Sequence, residues 1–244
     1  MTLNSKLNSK KGRFILTASL LCLSACAGVR QPSYAFMPAA GQSGAAQGVA
    51  IQISDSIQQG AEAFVQKTAD QGIGFLSDSN LSAAKKKQSF QKLLQNNFDM
   101  KTIGRFALGR YWNVASDAER AEYQKLFNAM IVEVYSRRFG DYTGESLEVR
   151  SSRQDSASDV TVTSFIVPKS GQDIQLDWSV RYKNGSYRVV DVKVEGVSMA
   201  LTQRSEFASV IQRGGGQVAV LLDHLRGQNS PVAKVRGIPM ETRL

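Results

Sequence analysis

Apolar positions recur along this chain with two different periods, and their order already outlines an architecture. Ile53, Ile57, Phe64, Val65 and Thr68 stand at helical spacing and predict an amphipathic helix from about Val49 to Leu76. A second helix starts near Ser82, with Phe90, Leu93 and Leu94 on one face. Asn97-Phe98-Asp99 interrupts it, and Asp99 is placed to cap a third helix through Ile103, Phe106, Ala107 and Leu108, ended by Gly109. The fourth start is the clearest. Ser116-Asp-Ala-Glu119 is a capping box, in which the serine accepts a free N–H and the glutamate reaches back. It opens a stripe of Tyr123, Leu126, Phe127, Met130, Ile131, Val134 and Tyr135 that Gly140 stops.

The period then changes from helical to alternating. Leu147 and Val149; Val160, Val162, Ser164 and Ile166; Ile174, Leu176, Trp178, Val180 and Tyr182; and Tyr187, Val189 and later Val192 and Val194 mark four strands. Asn184-Gly185 between the last two is a hairpin signal, because both residues tolerate positive φ. The chain returns to helix from about Leu201 to Arg213, breaks at Gly214-Gly-Gly216, and resumes through Val218, Leu221, Leu222 and Leu225. Helices, a meander of strands and helices again read as an α+β fold: N-terminal helices packed on a curved four-stranded antiparallel sheet, with C-terminal helices. Strands that do not alternate with helices speak against a doubly wound α/β sheet.

Charge changes the picture at the N-terminus. Residues 1–35 contain no Asp or Glu, and Lys6, Lys10, Lys11 and Arg13 lead into an apolar run from Phe14 to Ala25. That run is shorter than the roughly 20 residues a membrane-spanning helix needs, so it reads as a secretory leader. Leu23-Ser24-Ala25-Cys26 has the form of a lipoprotein box, in which Cys26 is acylated and becomes the new N-terminus. Cuts after Ala27 or after Ala35 also satisfy the small-residue rule and would discard Cys26. The expected organisation is a signal peptide over 1–26, a Gly-, Ala-, Ser- and Gln-rich linker over 27–48, a folded domain over 49–226 and a loose Pro- and Gly-containing tail over 227–244. If Cys26 is acylated, the linker's r.m.s. reach is roughly 26 Å. Such a tether would restrict free shuttling.

The whole chain carries 30 Lys and Arg against 21 Asp and Glu, but removing the leader's four cations leaves 26 against the same 21. Much of the basicity is therefore in the leader, and no basic stripe interleaved with aromatics supports nucleic-acid binding. Lys85-Lys86-Lys87 reads as the solvated start of a helix.

Catalytic chemistry finds little to use. His224 is the only histidine, which excludes a site of two imidazoles, and two cysteines cannot build a four-cysteine zinc site. The nucleophile-elbow, zinc-protease and phosphate-loop motifs are absent. Gly214-Gly-Gly216 separates two helices instead of following a strand, and neither Asp223-His224 nor Asp191 with Glu195 belongs to a wider polar constellation. An enzyme is not expected. What the chain has in surplus is apolar bulk, and a concave sheet under helices can leave an apolar cavity.

Four segments carry a resemblance. Phe98-Asp-Met-Lys-Thr-Ile-Gly-Arg-Phe-Ala-Leu-Gly-Arg-Tyr-Trp112, Ala115-Ser-Asp-Ala-Glu-Arg120, Val189-Val-Asp-Val-Lys-Val-Glu-Gly-Val-Ser198 and Arg204-Ser-Glu-Phe-Ala-Ser-Val-Ile211 resemble, in this order, the MlaC or toluene-tolerance (Ttg2) family of periplasmic phospholipid-binding proteins. The resemblance runs from about Ile53 to Arg226. It implies a nuclear-transport-factor-like roll whose cavity takes the acyl chains of a phospholipid, with no cofactor beyond that cargo. It also implies a periplasmic location and traffic between an outer-membrane lipoprotein-porin complex and an inner-membrane ABC lipid transporter, in support of outer-membrane lipid asymmetry. Such proteins are usually soluble after cleavage, so the lipoprotein box departs from the pattern. Two acyl chains hold on the order of 28 methylenes, whose exposure at roughly 0.8 kcal/mol each would cost about 20 kcal/mol. A carrier needs only an apolar cavity to offset this. Within that reading Phe106, Leu126, Met130, Val134, Ile166, Trp178, Val180, Val192, Val197 and Phe207 are the expected lining, and Arg105 and Arg110 the candidates for the headgroup phosphate. The competing reading is a non-catalytic envelope adaptor or structural lipoprotein with a filled core.

Overall fold

The computed structural model describes residues 44–229; the leader, Cys26 and the tail beyond Asn229 lie outside it, as does most of the expected linker. Helix α1 spans Gly44–Ser77, α2 Ala83–Asn97, α3 Met100–Leu108, α4 Tyr111–Val114 and α5 Asp117–Ser136. Strands β1 (Ser146–Gln154), β2 (Asp159–Val167), β3 (Ile174–Lys183), β4 (Ser186–Val194) and β5 (Val197–Ser198) follow, then α6 (Met199–Arg213) and α7 (Val218–Asn229). No helix among the described residues is long and apolar enough to cross a membrane.

The local signals act where the sequence placed them. Ser82 caps α2 through its hydroxyl, and Asp99 accepts the Thr102 N–H at the start of α3; Ser198 caps α6, whose start at Met199 comes before the expected Leu201. The box at α5 closes in both directions, Glu119 N to Ser116 Oγ at 3.3 Å and Ser116 N to Glu119 Oε2 at 2.8 Å. The glycine run does break the last two helices: Gly216 N returns to Ile211 O at 2.9 Å while Gly215 and Gly216 hold positive φ. Several bounds differ from expectation. Helix α1 takes in residues 44–48, which composition assigned to the linker, and α7 continues to Asn229. Helix α5 ends at Ser136, before Gly140, and a 3-10 turn over Phe139–Asp141 follows. The single-turn α4 has no stripe long enough to register as a period.

The five strands form one antiparallel sheet in the order β1-β2-β3-β4-β5, a meander with one strand more than expected. The hairpin before β5 turns on Glu195 (φ 49°) and Gly196 (φ 80°), the same positive pair that Asn184 (52°) and Gly185 (75°) adopt between β3 and β4. A glutamate at the first position hides that turn from a reader looking for Asn-Gly or Asp-Gly. Two register shifts curve the sheet. One lies between Val149 and Ser151 on β1, and the other opposes Ser179 and Val180 to Asp191 and Val189 on β4. The second shift explains why the apolar alternation on β4 skips from Val189 to Val192: a bulge inserts a residue, and the inward face resumes one position later.

Apolar burial falls into two clusters. In one, Ala61 and Val65 of α1 pack on Val160, Val162, Leu176, Trp178, Val180 and Val189 of the sheet. Polar contacts pin α1 to β1, with Gln58 Nε2 donating to Ser152 O at 2.9 Å and Ser152 Oγ to Glu62 Oε1 at 2.5 Å. In the other, α3, α5, α6 and α7 enclose Tyr123, Phe127, Phe207, Ile211, Leu221 and Leu225. Tyr123, Phe127 and Phe207 pack ring to ring with centroids 5.8–6.2 Å apart. The buried Tyr123 hydroxyl donates to Gly104 O at 2.9 Å, and burial pushes the phenol far above its ordinary pKa. Helix α5 packs on α7, α2 and α3. The two clusters share no residue.

Candidate functional site

A cleft of about 870 Å³ opens between α2, the start of α3, α5 and β4. That is within the roughly 300–1,000 Å³ range of ligand sites. Its floor is apolar: Leu94 of α2, Phe98 at the α2–α3 junction, Met100 of α3, and Ala129 and Val132 of α5. The floor coincides with the seam between the two clusters. The Phe98 ring stands 6.3 Å from that of Trp178 and belongs with the sheet, whereas Met100 packs against the helical cluster. Phe98 is held there by the chain itself, since its N–H bonds back to Leu94 O at 3.0 Å and the next N–H, of Asp99, bonds to Val189 O at 2.9 Å.

The rim is polar and mostly cationic. Lys87 is ion-paired with Glu133, which also holds Arg137 at 3.2 Å. Arg188 of β4 reaches the carbonyls of Gln95 and Asn96, where a cation complements the C-terminal end of α2. Lys101 and Lys125 complete the positive side, and no ion pair engages either among the described residues. Burial works to raise the Asp99 carboxyl, but hydrogen bonds from Thr102 and the charges of Arg181 and Arg188 outweigh it, so the group lies below its ordinary value and is ionised at neutral pH. A cationic rim over an apolar floor is matched by an amphiphile with an anionic head. Among the described residues no three His, Cys, Asp or Glu gather into a cluster.

The residues expected to line a cavity are divided by the fold. Met130 and Phe207 are buried in the helical cluster, with Leu126 and Val134 packed against it. Trp178 and Val180 are buried in the sheet cluster, with Ile166 and Val192 beside it. Phe106 and Val197 are 42% and 47% exposed. The cleft itself touches none of the ten. Arg105 and Arg110 lie away from it too, stacked on Trp112 and Tyr111. The cleft-forming residues went unrecognised because Leu94 reads as an ordinary helix-face leucine and Phe98 as part of a helix break. The available signal was an aromatic at a junction, where it belongs to the stripe of neither helix. Asp191 has a structural use, accepting Ser198 Oγ at 2.6 Å and Ala200 N at 3.0 Å at the start of α6. His224 lies exposed on α7 beside Gln228.

Helices set on a curved antiparallel meander, with an amphipathic cleft at the seam of two apolar clusters, define an α+β protein with a ligand-sized opening into its interior. The MlaC protein family model matches residues 66–227, well over half of the chain, and the chain belongs to that family. The toluene tolerance protein ttg2D of Pseudomonas putida is 20% identical over 127 residues, which cover 52% of this chain and 58% of that relative's length. Among solved structures, a phospholipid-binding protein from Ralstonia solanacearum in complex with a phospholipid has the same fold. It superposes with a TM-score of 0.61 at 24% identity, covering 71% of this chain and 98% of that one.

Proposed function

We propose that this protein is a non-enzymatic phospholipid carrier that takes acyl chains through the cleft and keeps the headgroup at its cationic rim. One observation carries the reading: the apolar floor lies on the seam between two hydrophobic clusters, Phe98 belonging to one side and Met100 to the other. Acyl chains entering past Phe98 part the clusters and meet Trp178 and Met130, which brings the expected lining into play without unfolding either layer. Family membership and the likeness to a protein solved with a phospholipid support the cargo. The finer expectations belong to the same proposal. They are a periplasmic domain over 49–226 and transfer between an outer-membrane lipoprotein-porin complex and an inner-membrane ABC transporter; acylation of Cys26 would instead hold the carrier to the complex of its own membrane.

Native mass spectrometry of protein purified from a bacterial envelope tests this. Bound phospholipid is expected, and Ala129→Glu, at an exposed position of the cleft, is expected to lose it while keeping the circular dichroism of the fold. A homogeneous lipid-free mass, with no uptake from vesicles, refutes it. The packed state of Met130, Phe207, Trp178 and Val180 favours the second reading, an envelope adaptor with a filled core, and that lipid-free outcome would support it.

A further inference from the structure

Four guanidinium groups lie over aromatic rings of α3 and α4. Arg204 of α6 stands 5.2 Å from the Phe106 ring, Arg105 and Arg120 each 5.7 Å from Trp112, and Arg110 5.0 Å from Tyr111. Gly109 makes the close approach available: its φ is +59°, and a Cβ there would stand 2.8 Å from Arg204 Nε. Arg120 is ion-paired with Asp117 at 2.9 Å. Among the described residues, no carboxylate forms an ion pair with Arg105, Arg110 or Arg204. Glu206, two residues beyond Arg204 on α6, accepts from Gln203 Nε2 at 3.1 Å, Asp191 holds the start of α6 and Glu119 closes the capping box of α5. Apolar surface is interleaved with these cations. Phe106 remains 42% exposed beneath Arg204, and Leu201, one turn earlier on α6, is 53% exposed.

Arg110 Nη2 donates to the Tyr111 hydroxyl at 2.9 Å, and the remaining donors of an arginine that lies on an aromatic face without a carboxylate of its own are open to phosphate oxygens. Exposed Phe and Leu between such arginines are costly in water and suit the boundary between headgroups and acyl chains, where the arginine stem lies along apolar surface and its head reaches phosphate. We propose that this face docks the protein onto an anionic phospholipid bilayer, with Arg105, Arg110 and Arg204 on headgroup phosphates and Phe106 and Leu201 at the acyl boundary. Docking goes beyond cargo binding, because none of the five residues it uses lines the cleft.

Co-sedimentation with phosphatidylcholine vesicles, prepared with and without phosphatidylglycerol, tests the proposal. Protein should pellet with the anionic vesicles, and the partition should weaken by roughly five-fold per guanidinium removed, on the order of a hundred-fold for R105Q/R110Q/R204Q. Leu201→Ser should also weaken it at unchanged charge, whereas Lys169→Gln, in the β2–β3 connection, should leave it within about two-fold of the parent. Protein that stays in the supernatant overturns the proposal, even if it binds a purified acidic envelope protein. So does a triple variant no weaker than Lys169→Gln, or a Leu201→Ser variant that binds as the parent does. Phospholipid recovered in the supernatant with the protein reports cargo uptake separately, so the docking and carrier readings fail independently.

Discussion

Replacing Ser164 with alanine isolates one buried polar contact in the sheet cluster. Ser164 points inward from β2 and is fully buried, and its hydroxyl accepts the indole N–H of Trp178 on β3 at 2.9 Å. Around them lie the apolar side chains of Val162, Leu176 and, through its ring, Phe98. Ser164→Ala removes the acceptor and leaves the indole N–H in a dry environment, a loss of about 1–3 kcal/mol. Trp178→Phe removes the donor as well as packing area. In the double variant the serine no longer matters to the indole, so the two changes should couple by on the order of 1 kcal/mol. Urea unfolding followed by circular dichroism reads this directly. With a slope of about 2 kcal/mol per M, Ser164→Ala should lower the midpoint by roughly 0.5–1.5 M. A midpoint within about 0.2 M of the parent, or additive single changes, would refute the contribution assigned to this bond.

At Gly60 α1 meets the end of the Tyr187 side chain, and a Cβ there would stand 2.1 Å from the Tyr187 hydroxyl oxygen; Gly60→Ala should destabilise by about 1–3 kcal/mol in thermal unfolding, and by less in a Tyr187→Ala background. Ser116→Ala should cost about 1 kcal/mol through the lost cap of α5, measurable as a lower urea midpoint. Hydrogen bonds from Ser116 hold the Glu119 carboxyl below its ordinary value, so its contribution is fully present at neutral pH and lost as pH falls below the ordinary carboxylate range through the lowered folded value. Midpoints measured across that acid range should show a shallower decline in Ser116→Ala than in the parent. Metabolic palmitate labelling that vanishes in Cys26→Ala would establish acylation of Cys26; unlabelled protein in the soluble periplasmic fraction would exclude the tether.

Local pattern carried the sequence reading a long way, and stopped where several elements meet. Periods, caps and the Asn184-Gly185 turn are properties of a few consecutive residues, so α1 to α3, α5, four strands and the helix break at Gly214 were legible from the chain. So was the family, through four segments in order. The Glu195-Gly196 turn and the short β5 were not, because glutamate seldom occupies a positive-φ position and two residues show no period. The bulge on β4 left a visible trace in the skip from Val189 to Val192, but only the partner strand gives that skip its meaning. The cleft was out of reach for a different reason. Leu94, Phe98, Met100 and Val132 come from α2, a junction, α3 and α5, and a leucine facing a neighbour has the same sequence signature as one facing an opening. Trp178 and Met130 likewise read as apolar and inward. That they belong to two separate clusters depends on α1 packing on the sheet while α5 packs on α2, α3 and α7, a matter of tertiary structure that no stretch of sequence contains.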